Sequence, residues 1–162
     1  FVYNVAYRMM GNPHDAEEVA QDTFVSAYKA RDRFRGDAQP TTWLYRITVN
    51  AALMRIRKDK RGKEMTVSED NRPDVASNNW AESPVAATMN SELGGRIDAA
   101  IDALPEGLKV VVILRDVQGL SNQEAADTLD VSLSALKARL HRGRIALRDS
   151  LESYVAELSK AN

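Results

Sequence analysis

The sequence of 162 residues contains no cysteine, only two histidines and few aromatic side chains. The lack of cysteine excludes disulfides and thiolate metal sites and fits a reducing cytoplasm, where we expect the protein to act. His14 and His141 stand far apart and lack the spacing of metal ligands, so no metal centre is expected. No apolar run approaches the length of a membrane span or a signal sequence, which argues against membrane insertion.

Motifs of catalysis are missing as well. The sequence has no glycine-rich phosphate loop, no cluster of metal ligands and no nucleophile paired with a base. We therefore expect neither a catalytic site nor a cofactor, and an enzyme is the least favoured class. Because Phe1 already stands inside a helical pattern, we also expect further residues to precede it in the full protein.

Charge is distributed unevenly, although the formal net charge is only −1. Residues 1–63 carry 12 basic and 7 acidic side chains, whereas residues 64–95 carry 1 basic and 6 acidic side chains. The second stretch is rich in Ser, Asn, Asp, Glu and Pro and lacks periodicity, so we interpret it as a flexible linker. The first stretch is basic enough to attract phosphates locally.

Two short helices joined by a tight turn are predicted in the C-terminal part of the chain. Ser121 followed by Glu124 is a capping box, which starts the first helix. Asp130 tolerates the left-handed conformation of a sharp turn, and a second helix opens near Ser132 or Ser134. This pattern is typical of a helix-turn-helix, whose second helix enters the major groove.

The second of these helices has two distinct faces. Its predicted core stripe comprises Leu133, Leu136, Leu140, Gly143, Leu147 and Leu151. The opposite face centres on small residues with cations at its flanks, which suits entry into the major groove. This candidate DNA-reading face comprises Ser134, Ala135, Lys137, Ala138, Arg139 and Arg142, with Arg144 and Arg148 at one flank. A solvated basic face on an ordinary helix is the alternative.

Three amphipathic helices are predicted in the N-terminal part of the chain, over residues 1–10, 14–31 and 41–60. Their predicted buried residues are Val2, Val5, Ala6, Met9, Ala16, Val19, Ala20, Thr23, Phe24, Ala27, Tyr28, Leu44, Ile47, Ala51 and Met54. On the second helix, Glu18, Gln21 and Asp22 face outward. They are either a solvated face that the helix dipole favours or a docking surface for a partner.

The third helix carries a second candidate nucleic-acid site. Trp43, Arg46 and Asn50 share one face, on which an unpaired base could stack and form hydrogen bonds. The loop before the helix adds Phe34 and Arg35, and its end adds the cations Arg55, Arg57 and Lys58. A single tryptophan is more often part of a core, and that alternative remains open here.

The remaining segments complete an all-α fold of two small helical domains. Residues 96–104 predict a helix, and the β-branched run in 105–117 predicts a buried helix because the sequence offers it no partner strand. The predicted domains are residues 1–63 and 96–162, with residues 64–95 as the linker.

Together these stretches resemble the extracytoplasmic-function sigma factors of bacterial RNA polymerase. The sequences DAEEVAQDTFVSAYKARDRFRG (15–36) and TTWLYRITVNAALMRIRK (41–58) resemble the family's region 2. The block LPEGLKVVVILRDVQGLSNQEAADTLDVSLSALKARLHRGRIALRDSL (104–151) resembles region 4. The resemblance implies a protein that binds core RNA polymerase and promoter DNA and that an anti-sigma factor holds in check.

The resemblance also implies roles for individual residues. Glu18, Gln21 and Asp22 would dock on the polymerase. The minus-ten element would be opened and read by Phe34, Arg35, Trp43, Arg46 and Asn50, with Arg55, Arg57 and Lys58 near the upstream duplex. The minus-thirty-five element would be read by Ser134, Ala135, Lys137, Ala138, Arg139 and Arg142. The acidic linker would thread through the polymerase cleft.

Two departures from the family pattern affect the second helix of the helix-turn-helix. Ser134-Ala135-Leu136 stands where the family commonly has Gly-Thr-Val, which predicts a different promoter preference. Gly143 replaces a usual alanine and should weaken the helix by about 0.5–1 kcal/mol. A stand-alone regulator that binds duplex operator DNA through the helix-turn-helix is the rival function, and it leaves the Trp43 face unexplained.

Overall fold

A computed structural model describes residues 1–36, 39–65 and 90–161 of the chain. These residues form two compact units, the first within Phe1–Asn78 and the second within Asn79–Asn162. The described part is helical and contains no strand, which confirms the predicted all-α class with two helical domains. Most of the predicted linker, residues 66–89, lies outside the described residues.

The first unit is a three-helix bundle of α1 (Val2–Met10), α2 (Pro13–Ala30) and α3 (Pro40–Met65). Gly11 ends α1 in the left-handed conformation at φ 79°, which glycine adopts without steric cost. Asn12 then caps α2, because its side-chain oxygen accepts a hydrogen bond from the backbone N–H of Asp15 at 2.9 Å. This tight corner sets the two helices against each other, and α3 packs on both.

Burial in the first unit follows the prediction for α1 and only partly for the other helices. Val2, Val5, Ala6 and Met9 are buried, as are Ala16, Val19 and Thr23 of α2. Three predicted core residues are instead exposed, by 57% for Phe24, 69% for Tyr28 and 69% for Met54. The core face of α3 is rotated toward Val49 and Ala52, so Leu44, Ile47 and Ala51 are only half-buried. The prediction was wrong at the three exposed positions because a helical period shows that a stripe exists but not how far neighbouring helices cover it.

The second unit contains α4 (Asn90–Asp102), α5 (Glu106–Val112), α6 (Asn122–Leu129) and α7 (Leu133–Ala161). The first of these begins at Asn90, six residues before the predicted start. The run Val110–Leu114 is fully buried in helical conformation, as predicted. The predicted single helix over 105–117 nevertheless widens into a π-helical segment, Ile113–Val117.

Helix α7 packs on α4, α5 and α6 and provides the centre of the second core. Leu136, Leu140 and Gly143 of its predicted stripe are buried, and Leu147 and Leu151 are half-buried. Leu133, at the first position of the helix, is 36% exposed instead, because the stripe begins before the neighbouring helices cover it.

Candidate nucleic-acid interface

Two aromatic residues meet at the start of α3. The rings of Phe34 and Trp43 have centroids 4.9 Å apart and planes inclined by 43°. Phe34 N–H donates to the carbonyl of Arg31 and Trp43 N–H donates to that of Gln39, each over 3.1 Å. Both rings are half-buried, so each keeps an accessible surface against which a base could stack.

The polar residues predicted to accompany Trp43 are exposed on the same helix. Arg46 and Asn50 follow it at intervals of three and seven residues, which places them on its face. Arg57 and Lys58 are exposed two turns further along, and Arg35 is exposed in the loop. The structure therefore brings together the aromatic, amide and cationic groups of this candidate site along one side of the first unit.

Arg55 does not belong to that group. Its guanidinium donates to Asp15 over 2.8 Å and to Glu18, both on α2. The hydrogen bond to Glu18 raises the pKa of Arg55, with further support from the negative charges of Asp15 and Asp59. Arg55 thus joins α3 to α2 and points away from the face of Trp43. The sequence had instead led us to expect Arg55 near the phosphates of the upstream duplex.

Of the three residues predicted to dock on the polymerase, one is paired within the first unit and two are exposed. Glu18 is engaged by Arg55 and lies 3.4 Å from the imidazole of His14, whereas Gln21 and Asp22 are exposed. Beside them the structure exposes an apolar surface that sequence reasoning had assigned in part to the core. It comprises Phe24, Val25 and Tyr28, with the Arg31 guanidinium 4.1 Å above the Tyr28 ring.

The helix-turn-helix of the second unit has the predicted local geometry. Ser121 Oγ accepts a hydrogen bond from Glu124 N–H at 3.1 Å, and the Glu124 carboxylate accepts one from Ser121 N–H at 2.8 Å. The bond from the Ser121 backbone, with help from its side chain, lowers the pKa of Glu124. Asp130 turns the chain at φ 54° and ψ 48°, and Val131 N–H closes the corner on the carbonyl of Ala126.

Ser132 caps the second helix of this motif. Its hydroxyl accepts a hydrogen bond from Ala135 N–H at 3.2 Å and lies 3.1 Å from the hydroxyl of Ser134. Ser134 is exposed and keeps further hydrogen-bonding capacity for a ligand.

The predicted DNA-reading face lies at the surface. Ser134, Lys137, Ala138 and Arg142 are exposed, and Ala135 and Arg139 are half-buried. Within the described residues, Lys137, Arg139 and Arg142 form no ion pair with an acidic side chain, so their charge remains available to a phosphate or a base. Arg142 Nε donates to the carbonyl of Ala138, at 3.4 Å.

The two arginines at the flank of this face, Arg144 and Arg148, form ion pairs with acidic side chains. The sequence analysis had not predicted these pairs. Arg144 donates to both carboxylate oxygens of Asp116, at 2.6 and 3.0 Å, and the pKa of Arg144 is raised by this bond. Arg148 pairs with Asp149 at 3.0 Å and with Glu152 at 3.5 Å. The partners of Arg148 could have been found from sequence by their short spacing, whereas Asp116 lies 28 residues from Arg144.

A second polar contact fixes the entrance to the helix-turn-helix. Arg115, in the π-helical segment, donates through Nε to Asn122 Oδ1 at 2.6 Å and through its terminal nitrogen to the carbonyl of Leu120. Arg115 and Asp116 are consecutive, so one segment holds the start of α6 and the middle of α7. The residues next to Arg115 and Asp116 in the sequence give no indication of these contacts, so sequence reasoning did not find the two positioning residues.

Gly143 allows α5 to approach α7 closely. A Cβ atom at this position would lie 2.8 Å from Val112 Cγ2, below the separation that carbon atoms accept. The predicted weakening of the helix by this glycine is therefore accompanied by a gain in packing.

Neither a metal site nor a membrane-spanning helix is found in the described ranges. Among those residues, no group of three or more His, Asp or Glu side chains is arranged to hold a metal ion. None of the helices there combines the length and apolar character needed to cross a membrane.

Comparison with known proteins gives matches for both units. Residues 1–62 match the family model for sigma-70 region 2, and residues 94–147 match that for sigma-70 region 4. The chain is 36% identical over 163 residues to the ECF RNA polymerase sigma factor SigE of Mycolicibacterium smegmatis, covering 99% of this chain and 61% of that relative. It is 36% identical over 154 residues to the ECF RNA polymerase sigma factor SigW of Bacillus subtilis, covering 93% of this chain and 82% of the relative.

Two solved structures are similar to the chain. The sigma factor RpoE from Bartonella quintana, crystallised with the anti-sigma factor NepR, matches at a TM-score of 0.73 and 20% identity, over 93% of this chain and 89% of that one. CnrH, solved with the cytosolic domain of CnrY, matches at a TM-score of 0.65 and 26% identity, over 94% of this chain and 81% of that one. A stand-alone regulator is not favoured, because it leaves the match of residues 1–62 to region 2 unexplained. Region 2, region 4 and a relative that is 36% identical and covered over 82% of its length agree, so the chain belongs to the extracytoplasmic-function sigma factors of bacterial RNA polymerase.

Proposed function

We propose that this chain acts in the bacterial cytoplasm as the promoter-recognition subunit of RNA polymerase, without catalytic activity of its own. The observation that carries the proposal is the presence, in one chain, of a half-buried aromatic pair with exposed basic residues on region 2 and of a helix-turn-helix on region 4. The chain spans only 61% of the first relative named above, so the activity of the whole protein is part of the proposal.

Region 4 would set the position of the complex on duplex DNA. The N-terminal half of α7 enters the major groove at the minus-thirty-five element, where Ser134, Ala135 and Ala138 allow close approach. Lys137, Arg139 and Arg142 contact bases and the phosphates beside the groove. The Asp116–Arg144 pair holds the helix in the orientation that this contact needs.

Region 2 would open the minus-ten element. Phe34 and Trp43 stack against an unpaired base, and Asn50 and Arg46 provide hydrogen bonds to its edge or its phosphate. Stacking of an expelled base is worth about 1–3 kcal/mol, which offsets part of the cost of separating the strands. Arg35, Arg57 and Lys58 hold the backbone on either side.

Two protein partners complete the proposal. Gln21, Asp22 and the accessible part of Glu18 dock on core RNA polymerase, together with the exposed apolar residues of α2. An anti-sigma factor would be the second partner, and the complex of CnrH with the cytosolic domain of CnrY supports protein binding by a chain of this fold.

Co-purification with core polymerase tests this proposal. The chain would be incubated with bacterial core RNA polymerase, isolated as a complex and used to select transcribed promoters from a random-sequence DNA library. A stable complex that enriches a bipartite promoter is expected. Failure to bind core, together with tight binding to duplex DNA alone, would contradict the proposal and favour the stand-alone regulator.

A further inference from the structure

Two serine hydroxyls lie side by side at the start of α7, where the predicted DNA-reading face begins. Ser132 Oγ and Ser134 Oγ are 3.1 Å apart, and both residues are exposed. Ser132 Oγ also accepts a hydrogen bond from the backbone N–H of Ala135 at 3.2 Å, which makes Ser132 the cap of the helix. Only one of the two hydroxyls donates to the other, so the direction of this bond decides which group Ser134 presents to a ligand.

The contact to the helix favours one direction. A hydroxyl has one proton to donate and two lone pairs that accept. Ser132 already uses a lone pair for the Ala135 N–H, so its proton is the group that still needs a partner, and Ser134 Oγ is an acceptor within reach. When Ser132 donates to Ser134, a lone pair of Ser134 is occupied. The Ser134 hydroxyl then turns its own proton outward.

The neighbours of Ser134 leave that proton accessible to DNA. Ala138 lies one turn further along the same face and is exposed, and Ala135 is half-buried. Both carry only a methyl group, so they allow close approach to a base edge without offering a hydrogen bond of their own. Of the residues assigned to this face, Ser134 is the only one whose side chain is polar and uncharged.

The bases of duplex DNA differ in what they offer to such a donor. In the major groove guanine and thymine present acceptors, adenine presents one acceptor and one amino group, and cytosine presents an amino group alone. A serine that rotates freely can donate or accept and therefore separates these bases poorly. A serine whose proton is directed outward discriminates against cytosine on the strand that it contacts.

We propose that Ser134 selects a base with an acceptor, guanine or thymine, in the minus-thirty-five element, and that Ser132 sets this preference by donating to Ser134. Ser134 touches the base, and Ser132 is a positioning residue that acts through it. The inference rests on the proposed function and adds a class of base to its duplex-reading step.

The test reverses the direction of the bond while keeping the helix cap. Asparagine and aspartate cap helices about as well as serine does. In Ser132→Asn, the amide oxygen accepts from the helix and the amide nitrogen still donates to Ser134. In Ser132→Asp, the ionised carboxylate can only accept, so Ser134 donates to it and presents a lone pair to DNA. This variant should prefer a base with an amino group, cytosine or adenine, at the same position.

Base preference is measured by selecting promoters from the random-sequence library with a reconstituted holoenzyme of each variant. The wild type and Ser132→Asn should both deplete cytosine at one position of the minus-thirty-five element, and Ser132→Asp should enrich it there. Ser134→Ala should lose the preference at that position and weaken binding to the selected duplex by about three- to tenfold, the effect of one lost hydrogen bond.

Ser121→Asp is the matched control for the added charge. Ser121 caps α6 in the same way, by accepting a hydrogen bond from Glu124 N–H. A new carboxylate near DNA repels phosphates whatever the sequence. This variant should therefore lower affinity without changing the preference for any base. Thermal unfolding of all four variants shows that each is folded at the temperature of the selection.

An unchanged preference in Ser134→Ala would show that this hydroxyl reads no base, and an unchanged preference in Ser132→Asp would show that the cap does not direct it. Either result would overturn the proposal and leave the sigma-factor function intact. Failure of the wild-type holoenzyme to enrich any bipartite promoter would instead overturn the proposed function, and the role of both serines with it.

Discussion

Asp116 and Arg144 form a two-point ion pair that joins the π-helical segment to the middle of α7, with N–O distances of 2.6 and 3.0 Å. Both planar groups present two atoms to each other, a geometry that fixes orientation as well as distance. Arg144 is therefore occupied by a protein carboxylate on the flank of the predicted DNA-reading face. Its main role would be to orient α7.

Asp116→Asn tests that role. Because the pair is partly exposed, we expect the free energy of unfolding to fall by only about 0.5–1 kcal/mol. Arg144→Lys, which keeps the charge but loses the planar fork, should cost a similar amount. The double variant measured by urea denaturation should cost clearly less than the sum, and strict additivity would show that the pair is not coupled.

Comparing Arg139→Ala with Arg148→Ala distinguishes the contribution to DNA binding of an arginine without an acidic partner in the described structure from that of a paired arginine. Arg139 has no acidic partner among the described residues, whereas Arg148 pairs with Asp149 and Glu152. Loss of Arg139 should weaken holoenzyme binding to the minus-thirty-five duplex by about 1–3 kcal/mol and relax its sequence preference. Loss of Arg148 should have a much smaller effect in the same binding assay. Unchanged binding of Arg139→Ala across sequences would contradict the assigned face.

Gly143→Ala should destabilise the second unit. The added methyl lies 2.8 Å from Val112 Cγ2, and overpacking of about 1–3 kcal/mol exceeds the helix-propensity gain of about 0.5–1 kcal/mol. Gly95→Ala in α4, where a Cβ meets nothing within 4 Å, is the control and should stabilise the chain. A rise in unfolding free energy for Gly143→Ala would show that Val112 moves aside at little cost.

Thr128→Val should stabilise the protein. The Thr128 hydroxyl is buried and has no hydrogen-bond partner in the described structure, and an unsatisfied buried group costs about 1–3 kcal/mol. Thr48→Val is the matched control, because the Thr48 hydroxyl donates to the carbonyl of Leu44 at 2.8 Å. Thermal unfolding should show a higher midpoint for the first variant only, and equal shifts for both would refute the explanation.

The capping box should make stability depend on pH in acid. The lowered pKa of Glu124 means that its contribution is fully present above the pKa of an unfolded glutamate, about 4.3. That contribution is lost as the pH falls through the lower folded-state value, because the neutral acid accepts the Ser121 N–H bond less well. Denaturation of Glu124→Gln at several pH values should show a smaller acid-side loss than the wild-type chain does.

Local signals were sufficient where neighbouring residues determine the structure. The capping box at Ser121 and the left-handed turn at Asp130 depend on atoms within a few residues and were predicted, and Ser132 was one of two predicted starts of the second helix. The pairing of Arg55 with Asp15 and Glu18 spans about 40 positions and depends on how α2 meets α3. No periodicity contains that information, so Arg55 was expected to be available for DNA.

The same reason explains the exposed residues of the candidate sites. Phe24, Tyr28 and Met54 are apolar and occupy helical positions that could have been buried. Whether such a stripe is covered depends on the position of the other helices, which sequence spacing does not specify. Phe24 and Tyr28, which were misplaced in this way, belong to the exposed apolar surface of α2 that we propose docks on the polymerase.

The division of α7 into a packed stripe and an exposed face has a consequence for how promoter preference can change. Leu136, Leu140 and Gly143 hold the helix in place, whereas Ser134, Lys137, Ala138 and Arg142 leave the core untouched. Substitutions in the second set should therefore carry little folding penalty. Under the proposed function, a new DNA specificity could be introduced, by natural drift or by design, one side chain at a time on an unchanged scaffold.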